Sequence, residues 1–287
     1  MPVPPAPDFR ASLRRRPPLV LDAAMGTDLL ARGALLAAPL WSARALLDAP
    51  ELVETIHREN AKAGADVLTI ASFRLHRRNA GGSNRELIAR AVAATHPSKK
   101  IFDGLWIAGS LAPLEDCYRP DLVPKQENIL FSEHAEMAAA LAAAGVDLIL
   151  IETMNTVREA AATARAAAAT GLPFVVSCVT DGDGRLLSGE PVEDFARALL
   201  SLPAPPDALG VNCVAARSLA GDLARLAAAA PGVPLAAYGN TFGAPIAPGD
   251  YAALAGEWVR LGARLVGGCC GTTAAHTAAL ARLIYGK

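Results

Sequence analysis

Ala144-Gly145-Val146-Asp147-Leu148-Ile149-Leu150-Ile151-Glu152 is the stretch that decides the fold. An alanine-rich helical pattern stops at a glycine suited to a left-handed C-cap. A short apolar run follows, and it ends on a residue able to do chemistry. The same phrase recurs as Ala63-Gly64-Ala65-Asp66-Val67-Leu68-Thr69-Ile70-Ala71 and as Leu261-Gly262-Ala263-Arg264-Leu265-Val266-Gly267-Gly268-Cys269. Continuous apolar runs of this length fit strands buried on both faces, as in a parallel sheet covered by helices.

Outward from these phrases, strands are expected at 19–22, 66–71, 105–109, 147–151, 174–178, 208–211, 234–237 and 264–267. Helical patterns lie between them at 51–63, 85–95, 132–144, 156–170, 192–200, 218–229, 248–261 and 274–284, with apolar residues at helical spacing. About eight such strand-then-helix units imply a (β/α)8 TIM barrel in a single domain. An open doubly wound sheet usually carries a glycine-rich dinucleotide loop after its first strand. Here Asp22-Ala23-Ala24-Met25-Gly26 lacks that spacing. Residues 1–17, with Arg14-Arg15-Arg16 before Pro17-Pro18, read as a solvated lead-in, and residues 18–287 as the barrel domain. The proline-containing stretch 110–125 reads as a loop over one end.

The 287 residues suffice for one α/β barrel of roughly 250 residues. A net charge of −1 argues against nucleic acid as a partner, which would call for a basic stripe. The sequence contains no apolar run long enough for a transmembrane helix and no apolar leader at its start. The expected location is the cytoplasm. The 5 cysteines then point to metal binding or chemistry rather than to a disulfide framework.

Barrel enzymes place their active sites at the C-terminal strand ends. Those ends carry Asp22, Thr69 to Ser72, Ser110, Glu152, Cys178, Asn212-Cys213, Asn240 and Cys269-Cys270. Closure brings the sixth and eighth strands to either side of the seventh, so Cys213 reaches Cys269 and Cys270. Three thiolates suit Zn²⁺ and leave one tetrahedral position open, which favours catalysis over a structural role. His276, the nearest histidine, is expected to face along the last helix. The matching chemistry is thiol activation: a free thiol of pKa about 8.5 is mostly protonated at neutral pH, and a metal ionises it. Asp22 and Glu152 are placed to hold an α-ammonium group, with Ser110 or backbone N–H groups receiving a carboxylate. Asn212 and Asn240 have two readings, substrate contact or the fixing of loops. Cys117 and Cys178 read as loop and core residues. Trp41, Phe73 and Tyr238 read first as packing around the mouth.

Asp22-Ala23-Ala24-Met25-Gly26-Thr27, Glu152-Thr153-Met154, Gly210-Val211-Asn212-Cys213 and Gly267-Gly268-Cys269-Cys270-Gly271-Thr272 resemble the zinc-dependent homocysteine S-methyltransferases. The resemblance implies a (β/α)8 barrel, a Zn²⁺ cofactor on Cys213, Cys269 and Cys270, and homocysteine as methyl acceptor. It also implies that Asp22 and Glu152 bind the homocysteine amino group. The family opening is usually Asp-Gly-Gly-Met-Gly-Thr, whereas this chain has Ala23-Ala24. Thr153 stands where the betaine-using branch has an aromatic residue, and no cobalamin or folate domain is expected. The implied donor is a small sulfonium, S-methylmethionine or S-adenosylmethionine. The segment 69–78, with Arg74, His76, Arg77 and Arg78, departs from the best-known members. Alternatives are a family member using another thiol, a selenol or a betaine-like donor, and a non-catalytic or redox-sensing zinc-thiolate barrel.

Overall fold

The computed structural model describes residues 8–15 and 17–286. Its strands are β1 (Leu19–Val20), β2 (Val67–Ile70), β3 (Trp106–Leu111), β4 (Leu148–Met154), β5 (Phe174–Cys178), β6 (Ala208–Ala215), β7 (Leu235–Asn240) and β8 (Ala263–Gly268). All eight are parallel, in the order β1-β8-β7-β6-β5-β4-β3-β2. The remaining seam, between β1 and β2, is bridged at Leu21 and Val67. Two backbone bonds flank it, Asp22 N–H to Val67 O (3.0 Å) and Asp66 N–H to Val20 O (2.7 Å). The chain is a (β/α)8 TIM barrel. No helix of the described residues is long and apolar enough to cross a membrane.

Two cores follow from the two-residue alternation of a strand. Val20, Leu68, Ile107, Ile149, Val176, Leu209 and Val266 face the helices. Leu19, Leu21, Val67, Trp106, Ala108, Leu148, Leu150, Val175, Ala236 and Leu265 fill the barrel. Continuing the inward set towards the C-terminal ends reaches Thr69, Ser110 and Glu152, and all three line the cavity there.

At the opposite end, Asp66, Asp147 and Asp207 each precede a strand and accept a backbone N–H from the strand beside it. The donors are Val20 (2.7 Å), Ile107 (2.7 Å) and Phe174 (3.0 Å). These aspartates tie the rim where strands begin. The segment expected to be a solvated lead-in contributes a helix here, Phe9–Arg14, capped by Asp8. Arg14 and Arg15 are exposed, but Phe9 and Leu13 are buried and join the barrel-filling core. Phe9 meets Trp106 edge-on at 5.7 Å. Residues 1–7 and 16 of that lead-in, and Lys287, lie outside the described residues.

Strands β4, β6 and β7 run further than their apolar runs. Polar residues break the hydrophobic pattern, yet pairing resumes beyond a bulge, at Met154 with Cys178 and at Ala215 with Asn240. Glu152, Asn212 and Cys213 therefore belong to strands rather than to the loops after them. Bulges re-aim side chains, and these two lie at the functional rim.

Candidate metal and substrate site

The sulfur atoms of Cys213, Cys269 and Cys270 lie within 4.8 Å of one another. Each arrives by a specific backbone device. Cys213 adopts φ +57° within the β6 bulge, in the left-handed region that non-glycine residues rarely occupy. The Cys269-Cys270 corner follows β8. Cys269 N–H donates to Gly239 O (3.0 Å), and Cys270 O accepts from Thr241 N–H (2.9 Å). Gly271 completes the turn at φ +84°. A Cβ there would stand 2.5 Å from Thr241 Oγ1 and 2.9 Å from Phe242 N, so only glycine fits.

The spacing fits a tetrahedral metal. Sulfurs about 2.3 Å from a Zn-sized ion stand roughly 3.8 Å apart, and Cys213 Sγ is 3.9 Å from Cys270 Sγ. Hydrogen bonds from Cys269 and Cys270 hold the Cys213 thiol well below its ordinary range, against the effect of burial. Cys270 is pushed up to about 12, chiefly by its bond to Cys213. One negative charge thus settles on Cys213 first, and a cation is the natural partner for ionising the other two thiols. Cys213 Sγ also lies 3.0 Å from the Tyr118 hydroxyl and accepts from Asn240 Nδ2 at 3.7 Å. Among the described residues no other group of three His, Cys, Asp or Glu side chains clusters this way.

A cavity of about 440 Å³ opens beside the thiols. Asp22, Ser110, Glu152 and the three cysteines line it, together with Trp41, Phe73, Tyr238 and Thr153. Asp22 is held on both oxygens by Thr69, from the backbone N–H at 2.8 Å and the hydroxyl at 2.9 Å. Burial pushes Asp22 up to about 8. The two Thr69 bonds pull it down, and the neighbouring Glu152 charge pushes it up further. Glu152 accepts a short hydrogen bond from Ser110 Oγ. Burial lifts it to about 7, against the pull of Ser110 and with the push of Cys213. Two acids on one cavity wall are thereby primed to ionise when a cation arrives beside them.

Asn212 does not line the cavity. It is fully buried, and its amide grips Thr153: Oδ1 accepts the Thr153 N–H at 2.8 Å and Nδ2 donates to Thr153 Oγ1 at 3.0 Å. Thr153, with φ +61°, is the strained residue next to Glu152. Asn212 therefore fixes a strand end, which is the second of its two readings. Asn240 likewise lies behind the cavity wall, as a donor to Cys213. His276 caps the last helix through Nδ1 and bonds Ile246 O through Nε2 at 3.0 Å, so it is no ligand to the thiolate site. Cys178 is core, with its thiol on Gly210 O at 3.6 Å.

The loop expected over one end is present, and it delivers residues that the sequence pattern left unassigned. Cys117 and Tyr118 line the cavity from it. Its path is pinned by buried groups: Ala112 O to His76 Nε2 (2.8 Å), Leu114 N–H to Glu159 Oε1 (2.8 Å), and Cys117 O to Asn155 Nδ2 (3.0 Å). Thr69, named in the sequence only as part of the second strand's end, has the inward parity of Val67 two residues earlier on β2. Tyr118 had no such signal, because a loop has no period.

The family profile of homocysteine S-methyltransferase matches residues 19–284. The homocysteine S-methyltransferase of Escherichia coli K12 is 32% identical, over 95% of this chain and 97% of its own length. Homocysteine S-methyltransferase 4 of Zea mays is 29% identical, over 92% of this chain and 89% of its own. The crystal structure of the E. coli homocysteine methyltransferase MmuM in metallated form superposes with a TM-score of 0.82 at 31% identity, covering 95% of this chain and 98% of that one. With its barrel, its clustered thiols and this match over nearly its whole length, the chain belongs to the homocysteine S-methyltransferase family.

Proposed function

We propose that this enzyme transfers a methyl group from a small sulfonium donor, S-methylmethionine or S-adenosylmethionine, to the thiol of homocysteine, yielding methionine. The observation that carries the reading is one cavity lined both by three clustered sulfurs and by two acids, Asp22 and Glu152. Homocysteine presents a thiol to the first and an ammonium to the second.

Cys213, Cys269 and Cys270 would hold Zn²⁺, which supplies ionisation of the substrate thiol at neutral pH while leaving its sulfur electron-rich. Asp22 and Glu152 take the ammonium; Thr69 fixes the first and Ser110 the second. The thiolate sulfur then forms a bond to the donor methyl carbon as the bond from that carbon to the sulfonium breaks. Its electron pair stays on the donor sulfur, which leaves as a neutral thioether. Opposite charges cancel along this path, so the apolar wall of Trp41, Phe73 and Met25 favours it by excluding water. Holding both reactants in one cavity supplies the rest by proximity. Free thiols at such a site call for a reducing compartment, and the cytoplasm is the location this reading expects.

The test is product analysis with zinc-loaded protein, homocysteine and a panel of S-methylmethionine, S-adenosylmethionine and betaine. Methionine should form with a sulfonium donor and cease on metal removal by a chelator. No methionine from any donor removes the acceptor assignment, and full activity without metal removes the zinc.

A further inference from the structure

The segment after β2 carries Arg74, Arg77 and Arg78, and the structure treats them differently. Arg77 pairs with Glu136 at 3.3 Å, and Arg78 pairs with Glu115 and with Glu133, the latter at 2.5 Å. Arg74 is half-buried in the cavity wall and has no carboxylate partner among the described residues. Its one hydrogen bond runs from Nη1 to the backbone oxygen of Glu115 at 3.2 Å. Most of its guanidinium donors are unspent. Among the described residues it is also the only Lys or Arg that lines the cavity. A guanidinium keeps its charge at any working pH, and its planar fork matches a carboxylate. A partly desolvated cation without a counter-ion is costly, and an anionic ligand removes that cost.

We propose that Arg74 receives the carboxylate of the methyl donor, so that the donor is a sulfonium bearing a carboxylate head group; this rests on the transfer reading above. Position assigns it to the donor rather than the acceptor. The acceptor head group belongs with Asp22 and Glu152, at the strand ends beside the thiols. Arg74 comes after the end of β2 at Ile70, outside the strand ends that carry those groups, and is tied through Glu115 O to the loop that carries Cys117 and Tyr118. The donor, which has to approach the bound acceptor from the open mouth, falls in that outer layer. Asp116, on the same loop and lining the same cavity, supplies a counter-charge for the head group's ammonium. One of its oxygens is engaged, by Tyr118 N–H at 2.9 Å.

The experiment compares S-methylmethionine with its primary carboxamide, which keeps the shape and loses the charge. Wild type should prefer the acid by about 10- to 100-fold in kcat/KM, the range for one charge-assisted hydrogen-bonded pair. Arg74→Met should remove that preference by lowering activity with the acid alone, leaving the KM for homocysteine unchanged. Arg74→Gln, which keeps a donor for the Glu115 carbonyl, should do the same. Equal losses with both donors would mean that Arg74 only anchors the loop, and a raised homocysteine KM would mean that it serves the acceptor; either overturns the proposal. If wild type transfers from neither sulfonium, the transfer reading fails, and calorimetry on the zinc-loaded protein decides Arg74 separately. Tighter binding of the acid than of the amide, levelled by Arg74→Met, retains its role; equal or absent binding ends it.

Discussion

Asp147 and Glu152 stand at opposite ends of β4. Asp147, where the strand begins, accepts the Ile107 N–H and pairs with Lys99 Nζ at 2.8 Å. Glu152, near the other end, faces a cavity with one hydroxyl donor and is raised to about 7. Asp207 repeats the first arrangement, with Arg10 Nε at 2.9 Å, and Asp22 repeats the second. The same residue type is therefore spent on stability at one rim and held in reserve at the other. What decides is the partner: an acid paired with a cation as well as a strand N–H adds stability, and one buried against a cavity without a cation subtracts it until a ligand arrives.

The contrast breaks first at the thiols. Cys270→Ala should lower bound metal from about one per chain to near zero and abolish methyl transfer. That loss exceeds the roughly 10–100-fold expected when a residue merely orients a ligand; metal analysis and a methionine assay check both. Glu152→Gln should lower kcat/KM for homocysteine by about 10–100-fold with the metal retained. In wild type the KM for homocysteine should rise as pH falls through about 7, because the protonated Glu152 no longer attracts an ammonium. Glu152→Gln should flatten that limb of the profile.

The smallest effects carry opposite signs at the two rims. Asp147→Ala should cost about 1–3 kcal/mol of stability, read as a lower melting temperature, with activity per folded molecule unchanged. Asp22→Asn should do the reverse. Burial raises Asp22 from 3.8 to about 8 in the folded chain, so its contribution is present at low pH and lost as pH rises through 8. The substitution should therefore raise the melting temperature at about pH 9, while weakening homocysteine binding. If both variants lose stability at that pH, the two rims do not differ in the way described.

The barrel and its thiol corner were legible because each is written in consecutive residues: a glycine stop, an apolar run, a cysteine pair. Asp22 and Glu152 were legible as the polar terminus of such a run. Asn212 was ambiguous because an asparagine in a strand end looks the same whether it faces the ligand or the chain. The bulge in β4 presents Thr153 to it, and bulges depend on a neighbouring strand far away in sequence. Tyr118 and Arg74 were illegible in role for a related reason. Their placement comes from a loop pinned by His76, Asn155 and Glu159, contacts that no local pattern encodes. The helix Phe9–Arg14 was hidden by its charge: two buried side chains among arginines make too faint a stripe to read.

That helix extends a core that already fills the barrel. Phe9 and Leu13 cover the strand starts, and Leu21 and Leu150 of the same core line the cavity, so packed protein runs from the far rim to the cavity's floor. The floor on which the thiols and acids stand is braced in part by two residues that never reach the cavity.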